Sequence, residues 1–147
     1  MKPKPLLCLA LVLSGGLMVF NVSARIIRNW TETELQNASD LVVVGTVTNV
    51  KDLNETNTLG DFTETFRGVE TTFKVSRVLK GTFTNNEVVL HHYRFGNDLE
   101  RPANAPDFIH FSPFFTNEYE LYLVHDGTNR YAPVTGQIDP ALSVKNP

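Results

Sequence analysis

The chain reads as an all-β domain: five hairpin-connected strands of unequal length, with one short helix ahead of them and one long insertion. Three observations predict this. Runs of β-branched and aromatic residues at 41–50, 64–81, 87–95 and 118–126 carry strand patterning, and 130–134 adds a short fifth. Turn residues punctuate them at Thr84-Asn85-Asn86 and Gly127-Thr128-Asn129. A capping-box helix start stands ahead of the first run. Two packed sheets or a small closed barrel would satisfy that pattern.

The elements follow in order. Thr31-Glu32-Thr33-Glu34 fits a capping box, with Thr31 as N-cap and Glu34 reaching back. It predicts a helix to about Ser39 with Trp30 and Leu35 on its apolar side. Asp40 then opens "LVVVGTVTNV" at 41–50, apolar on both faces at first and alternating later, as a central strand leaving the core does. Gly45 inside it points to a bulge or a sharp bend. Residues 51–63 are polar and aperiodic and read as a long hairpin loop. The strand over 64–81 sets Phe73 and Val75 on one face, and its phase slips at Arg77-Val78-Leu79, where a bulge is expected. "EVVLHHYRF" at 87–95 is the third strand. Residues 96–117 carry Gly96, Pro102, Pro106 and Pro113 and lack a strand pattern, yet hold Phe108, Ile109, Phe111, Phe114 and Phe115. A loop of that length either has a job or packs as a lid. "EYELYLVHD" alternates, and "RYAPV" is short, its Pro133 implying an edge. Asp139-Pro140 marks the start of a final helical turn.

The first segment, "MKPKPLLCLALVLSGGLMVFNVSA", has a basic start at Lys2 and Lys4, an apolar middle and small residues at Val22-Ser23-Ala24. It reads as a secretory signal peptide cleaved after Ala24. The apolar run falls short of the ~20 residues of a membrane span, and Gly15-Gly16 breaks it, so no stable span is expected. Residues 25–147 are then one domain, secreted or periplasmic. Removing 1–24 takes two of the 13 basic residues and none of the 16 acidic ones, leaving 11 against 16, a net charge of −5. It also removes Cys8, the single cysteine. Packing alone must hold such a domain, and thiol catalysis, zinc–thiolate sites and thiol redox chemistry are excluded. The acidic balance argues against nucleic acid.

Adjacent strand residues point to opposite faces, so His91 and His92 cannot ligate one metal together from a regular strand. By phase, His91 travels with Val89, Tyr93 and Phe95, and His92 with Val88, Leu90 and Arg94. One is expected near the core and the other partly exposed. His110 and His125 could join one of them with Asp98, Asp107 or Asp126, but no metal-ligand spacing occurs. No nucleophile elbow and no phosphate loop is present. Glu118 and Glu120 share a strand face and read as its solvated side. The insertion's phenylalanines, Phe108, Phe111, Phe114 and Phe115, either cap the open end of a barrel or form a contact surface. Asn29, Asn37 and Asn54 head glycosylation sequons, meaningful in a host with that machinery.

"ASDLVVVGTVTNV", then "TTFKVSRVLKG", then "EYELYLVHDGTNRYAPV" is an order similar to the inhibitory domain of tissue inhibitors of metalloproteinases and to netrin-type modules. The resemblance covers most of residues 38–135. It implies a five-stranded OB-like barrel. It also implies a contact edge at the new N-terminus, since in that family the first residue's amine and carbonyl chelate a protease zinc. Cleavage after Ala24 would put Arg25 at about the matching distance before Ser39-Asp40. Arg25 replaces the family's cysteine, and the family's disulfides are absent. The expectation is an exported protein-binding module without cofactor or catalysis, inhibitor-like in its sharpest form. Its contacts would be Arg25, Ile26 and Ile27 with Phe108, Phe111, Phe114 and Phe115, and its partner a protein such as a protease. The rivals are a small envelope enzyme or metal-binding protein using His91 or His92, His110 and His125, and a structural envelope protein.

Overall fold

The structure, a computed structural model, describes residues 25–96 and 104–146. The expected signal segment 1–24, Pro102 and Asp98 lie outside the described residues. The chain runs α1 (Glu32–Ala38), β1 (Leu41–Asn57), β2 (Phe66–Lys80), β3 (Glu87–Arg94), β4 (Glu118–His125), β5 (Tyr131–Pro133), a 3₁₀ turn (Pro140–Ser143) and β6 (Val144–Lys145). Five strands close a ring in the order β1-β2-β3-β5-β4 and back to β1, and β6 pairs outside it with β4. All pairings are antiparallel except β3 with β5, which meet in parallel at Leu90 and Tyr131.

The cap forms as the sequence predicts. Thr31 Oγ1 accepts from the Glu34 N–H, and the Glu34 carboxylate accepts from the Thr31 N–H. The Thr31 backbone N–H, then the Thr31 hydroxyl and Arg28, all donating to the Glu34 carboxylate, hold its pKa down to about 2. The helix seats Leu35 against Val42 and Tyr122, with Trp30 and Val134 beside them. That cover explains why β1 begins apolar on both faces: Val42 turns to the helix, and Leu41 and Val43 turn into the ring.

Inside the ring lie Leu41, Val43, Val47, Phe73, Val88, Leu90, Leu121 and Leu123. The register slips between Val44 and Gly45 and again between Val42 and Val43, which places bulges at Gly45 and near Leu79 where the sequence predicts them. A Cβ on Gly45 would stand 2.8 Å from the Lys74 carbonyl oxygen, so only glycine permits this strand approach.

Two expectations are corrected here. Residues 51–57 are not loop: β1 continues to Asn57 and pairs with β2 through Phe66, because a second cluster of Leu59, Phe66, Tyr93 and Phe108 gives the extension something to close on. The tail forms the helical turn expected at Asp139-Pro140, as a 3₁₀ turn, but the count of five strands is corrected by a two-residue sixth, which takes up backbone groups of β4 left free beyond β5.

Candidate functional site

The expected contact residues divide. Arg25 is pinned: its guanidinium meets the Asp139 carboxylate at 2.5 Å and donates to the Ala105 carbonyl at 3.3 Å. One side chain thereby ties the start of the domain to the tail and to the insertion. At the other end of the segment, Arg28 lies 4.0 Å over the Trp30 ring and pairs with Glu34 at 3.0 Å, and Trp30 packs on the α1 cluster. Between these two attachments Ile26 is 95% exposed and Ile27 is half exposed. Ile26 stands at the rim of a groove of about 530 Å³ walled by Arg25, Phe62, Ile138 and Asp139.

The insertion splits as well. Phe114 is 91% exposed and Phe115 largely so. Phe108 and Phe111 leave the predicted contact surface. Phe108 is buried, stacked edge-on against Phe66 and Phe95. Phe111 lies edge-on to Phe73, Tyr119 and His92. Phe111 thus packs against the ring-interior cluster, and Phe108 against the second cluster on the other face of β3.

Both histidines of β3 are buried, which corrects the expectation that one is partly exposed. The strand is covered on both faces, by the ring interior on one and by the Tyr93–Phe108 cluster and its polar neighbours on the other. His92 faces inward. Its Nε2 is 2.9 Å from Thr71 Oγ1, and its Nδ1 has no hydrogen-bond partner among the described residues. Burial drives its pKa down to about 4, with the Tyr93 backbone opposing and His91, His110 and Arg94 adding to the fall. A cavity of about 250 Å³ opens beside it, lined among others by Asp52, Arg94, His110 and Phe111, with Arg94 and Asp52 in an ion pair.

His91 faces the other way, between two carboxylates. Its Nδ1 is 2.6 Å from Asp126 Oδ2, and its Nε2 is 2.6 Å from Glu55 Oε1. Glu55 was hidden from the sequence reading by the polar, aperiodic look of 51–63. Two backbone features deliver it. Asp52 pairs with Val69 and Thr56 with Arg67, so residues 53–55 bulge against Gly68 alone. A Cβ on Gly68 would stand 2.6 Å from Glu55 Cγ and Oε1. The carboxylate crosses β2 through the space a side chain would fill. The legible signal was Gly68 inside a β-branched strand, which marks a close approach.

The other histidines stay apart. His125 is exposed and tilts over Tyr131 at 4.7 Å, and its N–H donates to Asp40. His110 is exposed at the cavity rim. Asp107 meets the tail through its backbone N–H, which donates to the Ile138 carbonyl. Among the described residues no group of three or more histidines and carboxylates is arranged to hold a metal ion. Glu118 is solvated as expected, while Glu120 is drawn inward to accept from the Tyr122 hydroxyl at 2.6 Å. No helix among the described residues is long and apolar enough to cross a membrane. No family model matches the chain, and no curated protein matches it at a significant level.

Proposed function

We propose that the exported chain is a protein-binding module on an OB-type barrel, and that it engages its partner through residues 25–27. The observation that carries this is Ile26 and Ile27 held out between two attachments. Exposing an isoleucine almost fully is ordinary on its own. Fixing the backbone on both sides of it, by Arg25 on Asp139 and Ala105 and by Trp30 on the α1 cluster, removes much of the ordering cost of binding. The ring order β1-β2-β3-β5-β4, with a long connection between β3 and β4, supports the OB-type reading. Phe114 and Phe115 add exposed aromatic surface of the kind that anchors interfaces.

The sharp form is inhibitor-like. After cleavage behind Ala24 the free amine of Arg25 would lead the segment, and its side chain would position that amine against the domain. The test is binding and inhibition against a panel of zinc metalloproteases with three proteins: the exported form, the same form acetylated at its α-amine, and Ile26→Ser/Ile27→Ser. Both isoleucines are exposed, so the double variant should keep its stability within about 0.5 kcal/mol. Tenfold or greater loss in both altered proteins supports the inhibitor form. Loss in the serine variant alone supports binding through the segment without metal chelation. Unchanged binding in the serine variant overturns the proposal.

A further inference from the structure

His91 is held by acceptors on both sides, and the strands around it are shaped to make that so. A neutral imidazole carries one N–H and one lone pair. It can donate to Glu55 or to Asp126, but not to both. Only the doubly protonated ring donates to both carboxylates, in two charge-assisted bonds of 2.6 Å each. The ring side chain is 6% exposed, so water cannot readily replace a lost partner.

We propose that His91 is a pH-sensitive latch between the bulged residues 53–55 of β1 and the turn joining β4 to β5, closed on both sides when the ring carries two protons and released at Glu55 when it carries one.

The surrounding groups decide which side lets go. From β1 comes Glu55, and from β2 comes Glu70, which stands opposite His91 in the strand register. Along β3 the neighbours are His92, Tyr93 and Arg94, of which Tyr93 touches the ring edge-on at 5.1 Å. Arg94 is committed to Asp52. From the β4–β5 turn comes Asp126, and just before β5 comes Arg130, whose Nε lies 3.1 Å from Asp126 and whose NH1 lies 3.8 Å from Glu70. Gln137 donates to the His91 carbonyl and leaves the ring alone. Asp126 therefore keeps a cationic partner when the ring loses a proton. Glu55 makes no other hydrogen bond or ion pair among the described residues, and it is 41% exposed, so it can turn to water. The retained proton goes to Asp126, and a lone pair is left facing Glu55. Repulsion between that lone pair and the carboxylate frees the bulge. Leu59 and Phe66 keep the tip of the β1–β2 extension packed, so the opening is local to residues 53–55.

The test is NMR of the intact protein across pH 4–9, following the His91 ring N–H protons, the Glu55 side-chain carboxyl carbon and amide exchange at residues 53–57, corrected for intrinsic rates. Both ring N–H protons should be present at the acid end. One should be lost in a single transition, and the Glu55 carbon should shift in the same transition. Exchange should rise roughly tenfold with it, as expected for losing one charge-assisted bond. His91→Gln should abolish the transition. Gly68→Ala should push the flexible Glu55 side chain aside, leaving exchange at 53–57 fast at every pH in a protein that still folds. Exchange that stays flat while His91 titrates, a ring that carries one proton throughout, or a transition that survives in His91→Gln would overturn the latch.

Discussion

His91 and His92 are neighbours on one strand, and both are buried, yet their surroundings ask opposite things of them. His92 looks inward on Phe111 and a single hydroxyl, Thr71, and burial holds it neutral with a pKa of about 4. His91 looks outward on two carboxylates and an arginine behind one of them. Equal burial therefore does not give equal chemistry. What decides is whether the desolvated ring is paid back by acceptors placed on it. The inward histidine is a packing group with one polar tie. The outward one is the centre of a charged cluster joining three strands and a turn.

The largest expected effect tests the inward side. The unfolded chain binds a proton at His92 near pH 6.5, whereas the folded chain resists until about pH 4. His92 thus contributes fully above pH 6.5, and that contribution is lost as the pH falls to 4. Linkage puts the loss at roughly 3 kcal/mol. Urea unfolding of the intact protein and of His92→Leu at several pH values should show that the variant lacks this dependence. At pH 7 the variant should be less stable by about 1–3 kcal/mol, because Thr71 keeps a buried hydroxyl without a partner. Parallel pH curves for the two proteins would show that the ring is not held neutral.

Next comes Phe111, the ring that closes over His92. Phe111→Ala should cost roughly 2–3 kcal/mol and move the His92 titration upward from about 4 as water reaches it. Phe114→Ala, on the same insertion, should cost less than about 0.5 kcal/mol and leave both histidines unchanged. Ring-proton titrations with thermal melts check both, and a large cost at Phe114 would contradict its exposure.

The smallest effect isolates the outward side. Gly68→Ala should cost about 1 kcal/mol, since the atoms in the way belong to a flexible side chain. The coupling between Glu55 and His91 in a double-mutant cycle with Glu55→Gln and His91→Gln should be measurable in the parent and vanish in the Gly68→Ala background. Coupling that persists there would mean Glu55 reaches His91 by a route other than over Gly68.

Much of this fold was legible because its signals are local. The capping box at Thr31 and Glu34, the bulge at Gly45 and the phase slip near Leu79 each depend on residues within a turn or a few strand positions. The two-faced apolarity at the start of β1 announced cover on both sides, and α1 supplies it on one. The site was less legible. Residues 51–57 have no periodicity because a bulge interrupts their pairing, so a strand looked like loop and Glu55 went unnoticed. The four phenylalanines of the insertion are chemically alike in the sequence. Nothing local separates Phe108 and Phe111, which pack against the two clusters on either face of β3, from Phe114 and Phe115, which face solvent.

The sequence by itself determined where the helix and the longer strands begin, which residues alternate along β3, and that residues 25–147, which contain no cysteine, stand on packing without disulfides. Those follow from backbone geometry and composition, which act over a few residues or over the whole chain. Only the tertiary structure decided that both faces of β3 are covered, and that Glu55 and Asp126, 36 and 35 residues from His91, close on it. The physical reason is register: which side chains meet across β1, β2 and β3 is set by bulges and by the missing side chain at Gly68, and these take effect only once the strands are paired.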